Sequence, residues 1–152
     1  MSQDVVFEPS KALAKNAHID NKGFKALYEK SLANPDTFWA EQGQRIDWVK
    51  PYSQISDVSY EATDLHIRWY ADGTLNAAAN CLDRHLANRG DQTAIIWEGD
   101  NPEDHRTITY LELHEEVCKF SNVLKANGAS KGDRITIYMP MIPEATVAML
   151  AC

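Results

Sequence analysis

No stretch of this sequence approaches the roughly 18 consecutive apolar residues that a membrane-spanning helix needs, although 44% of its 152 residues are hydrophobic. Basic residues are also in short supply. Lys and Arg total 15 against 22 Asp and Glu, a formal net charge of −7. Nucleic-acid binding needs a basic face to neutralise phosphates, so this balance argues against nucleic acid as a partner. Glycine is sparse: Gly23, Gly43, Gly73, Gly90, Gly99, Gly128 and Gly132 make up the set. None falls in a G-x-G-x-x-G or G-x-x-x-x-G-K-[ST] run, so the common phosphate-cradling loops are missing. Cysteine is limited to Cys81, Cys118 and Cys152. An odd number at wide spacing argues against a disulfide framework and for a reducing cytoplasm. The first twenty residues carry Asp4, Glu8, Lys11 and Lys15 and no apolar core, unlike a secretory signal.

What is present reads as globular. Charged residues make up 24%, an average share. The length suits one domain, or a small domain with part of another. Residues 1–19 lack periodicity and contain Pro9, which predicts a loosely attached arm. Asp20 then caps a helix with Phe24, Leu27, Tyr28 and Leu32 on one face. Asn34-Pro35 opens a second helix bearing Phe38 and Trp39, which ends near Gly43. Ile46, Trp48 and Pro51 fall in an irregular connection. His66–Tyr70 reads as a short strand, followed by Asp72-Gly73, a turn needing positive φ. Asn76 caps a helix to about Leu86, with Ala79, Leu82 and Leu86 inward, closed by 88–90.

From Asp91 the pattern changes. Ala94–Trp97 is a continuous apolar run, as in a strand covered on both faces. An acidic turn, 99–104, leads into the alternating run Arg106–Tyr110, so the two predict a hairpin. Thr109 and Glu112 have capping-box spacing. The helix they open carries Leu113, Val117, Phe120, Ser121 and Leu124 and stops at Gly128. Arg134–Tyr138 reads as a second sheet strand ended by Pro140, and Pro143 opens a last helix. Strand–helix–strand order favours an α/β sheet with right-handed crossovers, with the helical amino half packed on it as a cap.

Candidate chemistry is thin. Gly128 and Gly132 flank Ala129-Ser130-Lys131 before a strand, where they read as a helix stop and a turn rather than a phosphate cradle. His114 and Cys118 share a helix face at i, i+4, with Glu115 beside them, but a zinc site needs two more ligands. His18, His66, His85 and His105 are scattered. Asp83-Arg84-His85 are adjacent on a helix and so point in different directions. Glu98, Asp100, Glu103 and Asp104 lack calcium-loop spacing. No G-x-S-x-G elbow is present. Trp39, Trp48, Trp69 and Trp97, with Tyr28, Tyr70 and Tyr138, are expected to fill an interface between cap and sheet. From the residues alone, no catalytic, cofactor-binding or metal-binding position is assigned.

Several runs nevertheless resemble one family. Asn34-Pro35-Asp36-Thr37-Phe38-Trp39, the run from Trp69 to Asn76, the run from Ala78 to Leu86, Thr93 to Asp100, and Tyr138 to Ala145 are similar to the opening of acetyl-coenzyme A synthetases. The resemblance covers residues 20–152. It implies an AMP-forming acetate–CoA ligase of the adenylate-forming superfamily. Such an enzyme joins acetate to ATP with Mg²⁺, giving acetyl-adenylate and pyrophosphate, and coenzyme A then displaces AMP. The family's phosphate loop, acyl pocket, adenine and coenzyme A contacts and catalytic lysine match no position here, so no site residue is carried over.

The resemblance implies an arm (1–19), an N-terminal extension (20–90) and the start of the AMP-binding large domain (91–152), its first hairpin and βα units. The helix from Pro143 meets no stop signal before Cys152, which predicts the amino-terminal piece of a longer cytoplasmic ligase, inactive alone. ATP, coenzyme A and Mg²⁺ would serve the full-length enzyme and none would bind this segment. Its partner would be the remainder of the large domain, with no nucleic acid and no membrane. The alternatives are a non-catalytic binding or regulatory module, or part of a propionate–CoA ligase.

Overall fold

The computed structural model describes residues 7–152, so the first six positions of the expected arm lie outside the described residues. The chain divides into two compact units. One gathers residues up to Ile46 together with Tyr52–Asp72, the other Asp47–Pro51 with Gly73–Cys152.

In the first unit, part of the expected arm is helical. Helix α1 spans Lys11–Asn16, and Ser10 Oγ accepts from the Leu13 N–H at 3.2 Å. Good helix formers (Lys, Ala, Leu) support it, yet every residue is exposed, so no apolar periodicity marks it. Helix α2 (Asn21–Ala33) starts as expected: the Gly23 N–H donates to Asp20 Oδ1 at 2.7 Å. Phe24 and Tyr28 do share a face and stack at 6.2 Å, but Phe24, Leu27, Tyr28 and Leu32 are all exposed. Helix α3 (Pro35–Gly43) has Pro35 in its first turn, where the missing N–H costs nothing, and ends at Gly43. The Asn34 side chain makes no cap hydrogen bond. Gly43 is required for a different reason: a Cβ there would lie 2.6 Å from the Tyr52 hydroxyl.

The expected strand is longer than its apolar core suggests. Strand β2 is Asp64–Trp69, paired antiparallel with β1 (Ser56–Glu61), which the pattern did not predict. Register places Val58 opposite Ile67 and Tyr60 opposite Leu65 on one face. Asp57, Ser59, His66 and Arg68 share the other. The positive φ expected at Asp72-Gly73 falls instead on Tyr70, at 50°. Left-handed backbone is costly for an aromatic residue. It is held by the Tyr70 hydroxyl, which donates to the Trp39 carbonyl at 2.6 Å, and by the Tyr52 ring at 4.6 Å. Asp72 works as a cap. Its carboxylate accepts from the Ser53 hydroxyl at 2.7 Å and from the Ser53 and Gln54 N–H groups, and these bonds, the hydroxyl's first, hold its pKa at about 2.

In the second unit, Asn76 Oδ1 accepts from the Ala79 N–H at 2.9 Å, the cap expected. The helix it opens is not uniform. A π-helical turn, Ala79–Asp83, precedes α4 (Arg84–Arg89). Asn80 ties the incoming segment to this turn, accepting from the Asp47 N–H at 2.8 Å and donating to its carbonyl at 2.9 Å. Strands β3 (Thr93–Glu98) and β4 (His105–Thr109) form the expected hairpin, with an irregular register between Thr93 and Ile95. β3 is not covered on both faces, since Ile96 is 81% exposed.

Helix α5 (Tyr110–Ala126) carries the full capping box: the Glu112 N–H donates to Thr109 Oγ1 at 3.2 Å, and the Thr109 N–H donates to Glu112 Oε2 at 2.8 Å. Those bonds hold the Glu112 carboxyl below its usual range. Helix α6 (Pro143–Ala151) begins at the expected proline. Leu82, Ile108, Leu113, Val117 and Val147 form the buried cluster, flanked by Ala94, Ile95, Tyr110, Phe120 and Leu150.

Replacing Thr109 by Ala should cost about 1 kcal/mol and lower the melting temperature by roughly 3 °C. Because the Glu112 pKa is depressed in the folded state, its share of this cap is present at neutral pH and lost as pH falls through the carboxylate range. The Thr109→Ala difference should therefore narrow on acidification, which thermal melts at pH 7 and pH 4 will show.

The crossover-connected sheet that the strand–helix–strand order favours is not formed among the described residues. The two sheets are separate antiparallel pairs, β1–β2 and β3–β4. Arg134–Tyr138 adopts no regular structure and pairs with no described strand. A β-strand needs a neighbour to take its backbone hydrogen bonds, and the described residues provide none. The class remains mixed α/β, with helices preceding small strand pairs. Trp39, Trp69, Tyr52 and Tyr70 cluster in the first unit. Trp97 belongs to the second, and Tyr138 is fully exposed.

Candidate functional site

Among the described residues, one histidine-centred polar cluster lies in each unit. In the first, His66 stands across the strand pair between two acids. Its Nε2 lies 2.9 Å from Asp57 Oδ1 and its Nδ1 3.1 Å from Asp64 Oδ1, while Arg68 donates to Asp57 Oδ2 at 3.1 Å. The Asp57 hydrogen bond raises the His66 pKa, and the same bond, with Arg68 behind it, lowers that of Asp57. Both ring nitrogens face carboxylates, so the imidazolium is favoured and no lone pair is left for a metal. A raised histidine pKa stabilises the fold below the unfolded value, about 6.5, and that contribution disappears as pH rises through the folded value. By NMR titration, His66 should have a midpoint above 6.5, and Asp57→Asn should bring it down.

The second unit holds a groove of about 720 Å³ walled by the π-helical turn, α5 and the end of α6. His114 and Cys118, one turn apart on α5, both line it, with Nε2 and Sγ 3.5 Å apart. Asp83 approaches the same Nε2 at 3.5 Å from the π-helical turn. Asp83 lies on a separate element and nothing in the local sequence announces its part. Its neighbours diverge as expected: Arg84 reaches Asp47 at 3.3 Å and Asn80 at 3.0 Å, and the His85 ring packs 5.7 Å from Tyr110. Lys125 and Lys131 bring positive charge to the groove wall. Among the described residues, no group of three or more His, Cys, Asp or Glu side chains is arranged to hold a metal ion.

The remaining candidates resolve into structural roles. Gly128 and Gly132 have φ of 89° and 99°, and the Ala129 N–H closes onto the Leu124 carbonyl at 3.0 Å, a helix stop. Asp133 Oδ2 accepts from Ser130 N–H at 2.7 Å, so this loop satisfies its own donors. In the acidic turn, Asp104 and Gly99 close the hairpin, Gly99 N–H donating to the Asp104 carbonyl at 2.7 Å. Trp97 Nε1 donates to the Met141 carbonyl at 2.7 Å. Arg106 lies 5.4 Å over that ring and pairs with Glu144 at 2.8 Å, tying β3 and β4 to the start of α6.

A nucleotide triphosphate would need backbone N–H groups exposed at a helix start. Asp20 fills that position on α2, and the Thr109–Glu112 box fills it on α5. Prolines begin α3 and α6, and Asn76 serves the π-helical turn.

The comparisons with known proteins agree along the chain. The family model described as "Acetyl-coenzyme A synthetase N-terminus" matches residues 24–81, and that described as "AMP-binding enzyme" matches residues 82–152. Acetyl-coenzyme A synthetases of Aeromonas salmonicida and Shewanella amazonensis are each 55% identical over all 152 residues, which correspond to 24% and 23% of their lengths. The chain thus spans about a quarter of the curated relatives it matches. Among solved structures, acetoacetyl-CoA synthetase from Streptomyces lividans superposes with a TM-score of 0.71 at 29% identity, over 93% of this chain and 22% of that one. Two consecutive family models and relatives matched along every residue make the chain similar, over its whole length, to the amino-terminal region of acetyl-coenzyme A synthetases.

Proposed function

We propose that these residues serve as the amino-terminal scaffold of an AMP-forming acetate–CoA ligase, and that they carry none of its catalytic, cofactor-binding or metal-binding groups. The observation that carries this reading is a pair of facts. All 152 residues match acetyl-coenzyme A synthetases at 55% identity, while none of the seven glycines falls in a phosphate-cradling run. The whole enzyme would use ATP, Mg²⁺ and coenzyme A on acetate in the cytoplasm. Those groups would be held by residues outside positions 1–152, so no chemical step is assigned here. Residues 20–90 would form the extension and residues 91–152 the start of the large domain. The hairpin, α5 and α6 would then pack against the rest of that domain, with Arg134–Tyr138 as the strand that meets it.

Incubating the 152-residue chain with acetate, Mg-ATP and coenzyme A should release no AMP above background. Adding the separately expressed remainder of the Aeromonas salmonicida acetyl-coenzyme A synthetase should restore acetate-dependent AMP release. Turnover by the 152 residues alone would overturn the scaffold reading. A stable monomer that never complements the remainder would favour a self-standing binding module.

A further inference from the structure

We propose that Asn127 is a modification site, deamidated by attack of the Gly128 backbone nitrogen on its side chain. Asn127 is the single asparagine in the sequence that is followed by glycine. A side chain shields its own backbone nitrogen from the preceding residue, and glycine has none. Both residues are exposed at the end of α5. The fold itself calls for glycine there. Gly128 has φ of 89°, and a Cβ on it would meet nothing within 4 Å beyond its chain neighbours. The Ala129 N–H donates to the Leu124 carbonyl and the Gly128 N–H to the Lys125 carbonyl, each at 3.0 Å. These are the paired bonds of a helix stop built on a left-handed glycine. The residue that ends the helix therefore also presents an unshielded nitrogen to the amide before it. The bonds that restrain the pair are local. Asn127 Nδ2 donates to the Val123 carbonyl at 2.8 Å, and Lys125 holds the Gly128 N–H. Both belong to the last turn of α5, and terminal turns open first. The comparable dipeptide Asp72-Gly73 is guarded. Ring closure on aspartate needs a neutral carboxyl, and the bonds from Ser53 and Gln54 hold Asp72 ionised.

The reaction needs water alone. Hydroxide takes the Gly128 N–H proton, and the nitrogen bonds to Asn127 Cγ. The Cγ–Nδ2 bond then breaks, and Nδ2 leaves as ammonia with a proton returned from water. Water opens the resulting succinimide at Cγ, giving aspartate, or at the Asn127 main-chain carbonyl carbon, giving iso-aspartate. Overall one water is consumed and one ammonia released, and nothing is oxidised or reduced. Aspartate would set a negative charge at the carboxyl end of α5, against the helix dipole, where an amide had donated to Val123. Iso-aspartate would add a methylene to the backbone inside the Leu124–Ala129 closure. This chemistry is independent of the ligase reading, because it uses only residues of this chain.

The test is incubation of the folded 152-residue chain at pH 8, with peptide mass spectrometry following every asparagine. Asn127 should convert to the acid at least an order of magnitude faster than Asn122, which is exposed on the same helix but followed by Val123. Aspartate and iso-aspartate should both appear, as a succinimide requires. In urea that melts the chain the Asn127 rate should rise, because the last turn of α5 no longer holds the two amides. Asn127→Asp should lower the melting temperature by roughly 2 °C. Asn127 and Asn122 converting within twofold of each other, or iso-aspartate gathering at Asp72 rather than Asn127, overturns the site. Aspartate as the sole product overturns attack by Gly128. A rate unchanged by urea removes the helix end as the guard, and an unchanged melting temperature in Asn127→Asp removes the structural consequence.

Discussion

Replacing Leu82 by Ala should destabilise the second unit by about 3 kcal/mol and lower its melting temperature by roughly 10 °C. Leu82 is 2% exposed, the most deeply buried large side chain among the described residues. It projects from the π-helical turn into a cluster with Ile108 of β4, Leu113 and Val117 of α5 and Val147 of α6. Truncation removes contacts from several elements at once. The turn is also pinned by Asn76 and Asn80, so it is poorly placed to collapse into the void. Cavity cost depends on that ability to relax, which puts this site well inside the Leu→Ala range. Leu65→Ala is the control. Leu65 is exposed on β2 in the other unit, so its truncation should change stability by less than about 0.5 kcal/mol. Circular dichroism melts of both variants decide the matter. Equal shifts would mean that the buried cluster is not the centre of the unit's stability.

Much of this architecture was legible because its signals are local. Asp20, Asn76 and Thr109 with Glu112 cap the helices that their spacing announced, and Pro143 opens α6. A cap acts within three residues, so the sequence contains both partners. Strand β1 was missed because Ser56-Asp57-Val58-Ser59-Tyr60-Glu61 has only Val58 and Tyr60 as apolar residues, and its existence depends on pairing with β2. Arg134–Tyr138 failed the other way. Its alternation is strong, but a strand is a property of two segments, and no described residue supplies the second. The Asp83–His114–Cys118 arrangement was half visible. The i, i+4 pair follows from helical spacing, whereas Asp83 reaches it only through tertiary packing of the π-helical turn on α5. The family resemblance came from longer ungapped runs, which no single motif in the chain carries.

The second large effect is expected at the unpaired strand sequence. Tyr138 is 100% exposed and Met141 is 92% exposed, a short apolar run on a segment with no sheet partner among the described residues. Unpaired edges and contiguous exposed apolar side chains recruit other chains. The 152-residue protein is therefore expected to self-associate at micromolar concentration rather than remain a monomer. Tyr138→Lys should raise the concentration at which association begins by roughly tenfold, since burying one aromatic side chain contributes about 1.5–3 kcal/mol and an edge lysine opposes pairing. It should leave the melting temperature of the monomer nearly unchanged, because a fully exposed ring has no packing to lose. The same substitution should weaken complementation by the remainder of a related synthetase, because the surface that drives self-association is the one proposed to meet the rest of the domain. Sedimentation velocity over a concentration series, run beside the AMP-release assay, tests both halves. Identical sedimentation of the two proteins would remove this segment as the contact. Relief of association with complementation intact would separate the self-contact from the docking surface.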